Sequence, residues 1–88
     1  MSQVTIYTKA SCIYCDRAKQ LLNHKKIHFR EIHVDQNPEF LEEMIQRSGG
    51  RRTVPQIFIN GQSIGGFDDL YALDKGEKLN SLIHESAS

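Results

Sequence analysis

The sequence has no surplus of charge of either sign, since 11 Lys and Arg residues balance 11 Asp and Glu residues. A nucleic-acid-binding domain usually carries an excess of basic charge, so this balance argues against a nucleic acid partner. No apolar run approaches the roughly 20 residues that span a bilayer, and we expect no membrane partner. Residues Met1–Val4 lack the basic and apolar segments of a secretory signal, which predicts a cytoplasmic protein.

The chain also lacks internal repeats, low-complexity tracts and linker-like stretches. Its 88 residues are enough for one small hydrophobic core but not for two. We therefore expect a single domain over residues 1–88, in which the last few residues, Glu85–Ser88, are frayed.

Cysteine is scarce: the chain has only two, and both lie in the segment Cys12-Ile13-Tyr14-Cys15. A disulfide across this spacing closes a four-residue loop and stabilises a fold by only about 1.9 kcal/mol, against about 3 kcal/mol for a fifteen-residue loop. In a reducing cytoplasm such a pair cycles between dithiol and disulfide. The spacing therefore predicts a redox-active centre.

The two thiols are not expected to be equivalent, because a thiol must ionise before it attacks a disulfide. Cys12 lies at the start of a predicted helix, where unpaired N–H groups and the helix dipole favour an anion. Lys9 adds positive charge on the same loop, whereas Cys15 lies one turn further in and is less accessible. We therefore predict that Cys12 is the nucleophile and Cys15 the resolving thiol.

Zinc is a chemical alternative for a pair of cysteines. A structural zinc site needs about four ligands, so histidines would have to complete it. The candidates are His24, His28, His33 and His84. Only His24 and His28 come near a paired spacing, and that pair straddles a helix end and a strand start. We expect no metal ligand among the histidines.

Apolar periodicity and turn residues predict the secondary structure. The expected elements are a strand at Val4–Tyr7, a helix from about Cys15 to Lys25, a strand at about Phe29–Val34, a helix starting at Pro38 after an Asn37 cap and ending at Gly49-Gly50, strands at Ile57–Ile59 and Gln62–Ile64, and a final helical region after Gly66 in which Gly76 could introduce a break. Charged residues suit the second strand to an edge position. Asn60-Gly61 predicts a hairpin turn.

The elements have the order βαβαββα. A strand–helix–strand unit implies a parallel pair, and the hairpin adds an antiparallel pair. The predicted fold class is therefore α/β, with a four-stranded mixed sheet flanked by helices.

Two further segments have features of a binding site. The backbone of Val54, before Pro55, could pair with an extended peptide if its loop faces the cysteines, although a proline that only starts a strand has the same pattern. Gly65-Gly66 before a helix suits a carboxylate, and Asp68 or Asp69 suits an ammonium group. Acidic capping residues at a strand-to-helix turn would look the same.

Taken together, these segments resemble the glutaredoxins, in particular the short bacterial-type dithiol class. The resemblance covers nearly the whole chain and rests on Thr8-Lys9 with Cys12–Cys15, on Arg52–Ile59 and on Ile64–Leu70. It implies a thioredoxin-like fold and a glutathione-dependent thiol–disulfide oxidoreductase. Such an enzyme reduces protein–glutathione mixed disulfides, with Cys12 as nucleophile, and protein disulfides, with Cys15 resolving the intermediate.

The same resemblance implies a groove for glutathione. One set of residues lines its middle, cations meet the glycine carboxylate, and a third set holds the γ-glutamyl end. The residues implied for the middle are Tyr14, Thr53, Val54 and a cis Pro55. Those implied for the glycine carboxylate are Lys9 and Arg52, and those implied for the γ-glutamyl end are Gly66, Phe67, Asp68 and Asp69.

The chain departs from the family pattern at Ile13, where proline is usual. Glutaredoxins without that proline sometimes bind a two-iron two-sulfur cluster, bridged between two subunits by nucleophilic cysteines (here Cys12) and two glutathiones. An iron–sulfur carrier or sensor is therefore the alternative function, a dimer when cluster-bound and a monomer otherwise. Phe67 is a second departure, bulkier than the residues usual there, and it would narrow the groove or add an apolar contact.

A glutathione-independent reductase of the thioredoxin type is the remaining alternative. By resemblance, the absence of tryptophan beside the cysteines and the presence of Tyr14 argue against it. We expect no tightly bound cofactor, with glutathione as the reductant and glutathionylated or disulfide-containing proteins as partners.

Overall fold

The sheet is built around two central strands of apolar residues. A computed structural model describes residues 3–85. In it the strands are β1 (Val4–Thr8), β2 (Arg30–His33), β3 (Gln56–Ile59) and β4 (Gln62–Gly65), in the spatial order β2-β1-β3-β4. β1 pairs in parallel with β2 and antiparallel with β3, and β3 pairs antiparallel with β4. The predicted mixed four-stranded sheet is confirmed, with β2 at an edge.

Four helices connect and cover these strands: α1 (Ile13–His24), α2 (Pro38–Arg47), α3 (Phe67–Lys75) and α4 (Lys78–Glu85). The order is therefore βαβαββαα. The final helical region divides at Gly76, which caps α3, and at Glu77, whose φ of 60° lies outside the helical range. None of the helices in residues 3–85 is long and apolar enough to cross a membrane. The fraying predicted for Glu85–Ser88 concerns residues that, apart from Glu85, lie outside the described range.

Local capping residues set where the helices begin. Asn37 caps α2 through its side-chain Oδ1, which accepts a hydrogen bond from the Glu39 N–H at 2.9 Å, with Pro38 in the first helical position. Both residues act as predicted. α1 begins at Ile13, two residues earlier than expected, because Cys12 occupies the capping position.

The β3–β4 hairpin turns at Asn60-Gly61, as the sequence predicts. Asn60 has a φ of 53° and Gly61 a φ of 83°. Positive φ at both central residues is the requirement of a type I′ turn, whose twist matches that of paired strands.

Apolar residues cover both faces of the sheet. Under α1, α3 and α4, one buried cluster comprises Val4, Ile6, Ala18, Leu22, Ile57, Ile59, Leu70 and Leu79. Under α2, a second cluster comprises Tyr7, Val34, Met44 and Phe58. Alternate residues of β1 and β3 supply the two clusters, as the two-residue period of a strand requires.

A buried tyrosine ties α2 to the sheet. The Tyr7 hydroxyl donates to Glu43 Oε2 at 3.0 Å and accepts from Arg47 Nη1 at 3.0 Å. Burial raises the pKa of Tyr7 above its ordinary value, although the hydrogen bond from Arg47 opposes that shift. The ring of Tyr7 also packs edge-on against Phe58, with centroids 5.4 Å apart.

A second polar cluster joins the carboxyl ends of β1 and β2 to α1. Glu31 Oε2 accepts hydrogen bonds from Thr8 Oγ1 at 2.7 Å and from Lys19 Nζ at 3.0 Å. Burial alone would raise the pKa of Glu31, but these two hydrogen bonds and the charges of Lys19 and His33 outweigh it and lower the pKa below its ordinary value.

This cluster predicts loss of stability in acid. A carboxylate whose pKa is lowered by folding stabilises the fold above its unfolded pKa of about 4.3, and that contribution disappears as the pH falls through the folded pKa. We expect the free energy of unfolding in urea to depend less on pH below about 4.3 in Glu31→Gln than in the wild type. The exposed Glu42→Gln is the control, and an equal effect of both substitutions would contradict the prediction.

Candidate active site

The two cysteines lie at the amino-terminal end of α1 and form a disulfide, with Cα atoms 5.2 Å apart. Cys12 is half-buried and extended, with a φ of −112° and a ψ of 107°, and it caps the helix. Cys15 lies in the first turn with 1% of its surface exposed. Cys15 is therefore the less exposed of the two cysteines.

The sulfur of Cys12 takes the place of a capping oxygen. Its Sγ accepts a hydrogen bond from the Cys15 N–H at 3.1 Å, and the Cys12 carbonyl oxygen accepts from the Asp16 N–H at 3.1 Å. The first N–H groups of a helix have no partner within it and carry partial positive charge. A helix end of this kind favours an anion, which is the environment that the sequence analysis expects around Cys12.

The loop before Cys12 is held by a residue that the sequence analysis did not identify. Asp35, just after β2, accepts a hydrogen bond from the Ala10 N–H at 3.1 Å through Oδ2. Ser11 follows with a φ of 57°, which turns the chain into the helix. Nothing in the pattern around Asp35 links it to a loop 25 residues earlier; only the parallel pairing of β1 and β2 brings the two together.

A cleft of about 250 Å³ lies beside the disulfide and gathers the three segments. Its lining residues are Tyr14, Arg51, Thr53, Val54, Pro55, Gly66, Phe67, Asp68 and Asp69. Eight of these belong to the groove implied by the family resemblance. Lys9 and Arg52 are exposed and do not line the cleft, whereas Arg51 does. Tyr14 is the residue of the Cys12–Cys15 segment that lines this cleft, whereas a larger cleft of about 580 Å³ beside α2 includes no residue of that segment.

The middle of the cleft is formed by a turn ahead of β3. The Val54–Pro55 peptide bond is cis, as the resemblance implies, and Pro55 is buried. The buried Gln56 side chain fixes the turn, because its Nε2 donates to the Thr53 carbonyl oxygen at 3.0 Å and to Thr53 Oγ1 at 3.3 Å. Gln56 is a second supporting residue that the sequence analysis did not single out.

The far end of the cleft holds opposite charges close together. Asp69 Oδ2 accepts a hydrogen bond from the Gly66 N–H at 3.0 Å and lies 3.8 Å from Arg51 Nη1. Both side chains are about half exposed, so this ion pair is weak and can exchange for a ligand's charges. Asp68 also lines the cleft, and no side-chain partner for its carboxylate occurs among residues 3–85.

Gly65 is required where β4 ends. Its φ is +119°, and a Cβ atom there would collide with Asp69 Oδ2 and lie 2.8 Å from Arg51 Nη1. Gly61, in the hairpin turn, also has a positive φ of +83°, but a Cβ there would meet nothing within 4 Å. The two glycines therefore share a backbone constraint and differ in their surroundings.

This difference gives a stability test of the cleft geometry. Gly61→Ala should lower the free energy of unfolding by about 1 kcal/mol, from the left-handed backbone alone. Gly65→Ala should lower it by about 1 kcal/mol more than Gly61→Ala does, because the methyl group also moves the Asp69 carboxylate away from its hydrogen bond with the Gly66 N–H. Urea unfolding of both variants measures the difference, and equal losses would contradict the close approach at Gly65.

The sequence and the fold were compared with known proteins. Residues 4–64 match the family described as Glutaredoxin. The chain is 57% identical over 83 residues to Glutaredoxin 3 of Escherichia coli K12, covering 94% of this chain and 99% of that protein. It is 48% identical over 83 residues to a glutaredoxin of Pseudomonas aeruginosa, covering 94% and 98%.

Two solved structures extend the comparison. The solution structure of a glutaredoxin from Brucella melitensis has a TM-score of 0.80 and 52% identity, covering 92% of this chain and 87% of that one. The crystal structure of a buckwheat glutaredoxin–glutathione complex has a TM-score of 0.85 and 30% identity, covering 96% and 78%. The thioredoxin-like fold expected from the sequence is therefore confirmed.

Proposed function

This chain belongs to the glutaredoxin family and is a thiol–disulfide oxidoreductase, and on that premise we propose that it uses glutathione to reduce protein–glutathione mixed disulfides and protein disulfides. The unequal burial of the two cysteines beside the cleft carries the proposal. Cys12 is half-buried at the end of a helix, whereas Cys15 has 1% of its surface exposed. We therefore expect a substrate disulfide to reach Cys12 but not Cys15.

The proposed reaction begins with the Cys12 thiolate. It attacks the glutathione sulfur of a mixed disulfide, a Cys12–glutathione disulfide forms, and the protein thiolate leaves and takes up a proton. A second glutathione thiolate then attacks the glutathione sulfur of that intermediate, which releases oxidised glutathione and regenerates Cys12. With a protein disulfide, the Cys12 thiolate first forms a mixed disulfide with one client cysteine and releases the other. Cys15 then attacks Cys12 Sγ, which releases the first client cysteine as a thiol and forms the internal disulfide, and two glutathione molecules reduce that disulfide while forming oxidised glutathione.

The cleft offers complementary groups to glutathione. The peptide backbone beside the cis Pro55 suits an extended ligand, and the acidic Asp68 and Asp69 suit an ammonium group. Arg51 lines the cleft as a cation for a carboxylate. The buckwheat relative is solved as a complex with glutathione, which supports the same ligand for this chain.

The cysteines can be tested separately. Cys15→Ser should keep the turnover of a small glutathione mixed disulfide, because that route uses only Cys12, and should lose reduction of protein disulfides. Cys12→Ser should lose both activities, because the buried Cys15 cannot replace it. Glutathione-coupled turnover measures these rates. Loss of the first activity in Cys15→Ser would contradict the monothiol step.

Arg51 and its neighbour Arg52 provide a matched pair for the cleft. Arg51→Gln should raise the KM for glutathione about threefold to tenfold, since it removes a cation from the lining. Arg52→Gln removes the same charge from an exposed residue outside the lining and should change KM much less. A larger effect of Arg52→Gln would restore the contact implied by the family resemblance.

An iron–sulfur carrier is the alternative function. Among residues 3–85, no group of three or more His, Cys, Asp or Glu side chains is arranged to hold a metal ion. In the arrangement implied by the family resemblance, Cys12 from two chains and two glutathiones would hold the cluster. A brown dimer that loses its colour on becoming monomeric would favour this function, whereas a colourless monomer with glutathione-dependent turnover supports the enzyme.

A further inference from the structure

Three aromatic rings form a continuous row that starts at the cleft. The rings of Tyr14 and Phe67 have centroids 6.1 Å apart, and those of Phe67 and Tyr71 are stacked with centroids 5.8 Å apart. We call these three residues the aromatic row. Phe67 connects a tyrosine of α1 with a tyrosine of α3, so the bulky residue at this position makes the row continuous.

A cation lies over each end of the aromatic row. The Arg17 guanidinium carbon is 5.5 Å from the centroid of the Tyr14 ring, and Lys75 Nζ is 5.3 Å from that of Tyr71. Exposed cation–aromatic pairs at such distances are stabilising, which favours this arrangement of the five side chains. Within the described part of the chain, neither Arg17 nor Lys75 forms an ion pair with a carboxylate.

The aromatic row is exposed although it is largely apolar. Tyr14 has 54% and Tyr71 43% of its surface exposed, and the neighbouring Ile13 has 69%. Large apolar side chains gathered on one surface usually mark an interaction site, and tyrosine and arginine are enriched in such sites. The row reaches beyond the glutathione cleft, because Tyr71 and Lys75 do not line it.

We propose that the aromatic row, with Arg17 and Lys75, is the docking surface for client proteins of the reaction proposed above, on which this inference rests. The partner is a client segment in which an aromatic residue lies beside the oxidised cysteine and is flanked by carboxylates. The aromatic side chain packs on the exposed rings, and the carboxylates meet the two cations. Because neither cation is paired with a carboxylate among the described residues, the two ends of the row favour an acidic segment. Asp68, which has no side-chain partner in the same range, lies at the cleft, where the proposed reaction places the ammonium group of glutathione.

Peptides provide the test. One synthetic peptide carries Glu-Phe-Glu beside a cysteine joined to glutathione, and a second carries Lys-Phe-Lys in its place. Lys75→Glu should raise the KM for the acidic peptide about threefold to tenfold and lower that for the basic peptide. Tyr71→Ser should raise KM for both, since both contain the aromatic residue. Neither variant should alter the turnover of the glutathione mixed disulfide of 2-mercaptoethanol, which is too small to reach Tyr71.

Arg30→Glu is the matched control, because Arg30 is an exposed cation of the edge strand β2, beside the α2 cleft. It should leave the KM for both peptides unchanged. Equal responses to the two peptides in Lys75→Glu, or equal effects of Arg30→Glu, would overturn the docking surface. Loss of a dimer in Tyr71→Ser, measured by sedimentation without a change in KM, would assign the row to a second copy of this chain instead.

A binding measurement distinguishes failure of the proposed reaction from failure of the docking surface. Fluorescence anisotropy of dye-labelled peptides in which the cysteine is replaced by serine does not depend on turnover. The acidic peptide should bind the oxidised wild type more tightly than the basic peptide, and Lys75→Glu should reverse that order. If Lys75→Glu reverses the preference but the small mixed disulfide is not turned over, the proposed reaction is refuted and the docking surface stands. If the small mixed disulfide is turned over but the preference is not reversed, the docking surface is refuted and the reaction stands.

Discussion

The hydrogen bond from the Cys15 N–H to Cys12 Sγ is the interaction on which the site depends. It makes the sulfur of Cys12 the cap of α1, so the same contact begins the helix and places the proposed nucleophile beside the N–H groups of its first turn. It also places Cys15 in the first turn, where the packed helix buries it. The unequal burial of the two cysteines and the proposed difference in their reactivity therefore have one cause.

The sheet brings the rest of the site to this point. The central strand β1 leads into the cysteine loop, and its antiparallel neighbour β3 begins at the same end, directly after the cis Val54–Pro55 bond. The hairpin then returns β4 to that end, where Gly65 allows Asp69 and Arg51 to approach. Three segments far apart in sequence thus form one cleft, because β1 and β4 end, and β3 begins, at the same end of the sheet.

The sequence predicts well those features that depend on neighbouring residues. The Asn37 cap, the Asn60-Gly61 turn and the central strands follow from local chemistry, and each is confirmed. Features that depend on tertiary contacts are harder to predict from the sequence. Arg51 and Arg52 are chemically alike in sequence, but in the fold Arg51 lines the cleft, beside Asp69 of a distant segment, and Arg52 does not. The start of α1 shifts for a local reason, because a cysteine is not an expected helix cap.

The central claim is that Cys12 is the reactive thiol, and its rate of alkylation tests this most directly. The fully reduced protein would be treated with iodoacetamide over a range of pH, and the modification of each cysteine located by peptide mass spectrometry. The account predicts that Cys12 is alkylated much faster than Cys15 at neutral pH, since it is both more accessible and stabilised as a thiolate by the helix end. Equal rates, or faster modification of Cys15, would contradict it.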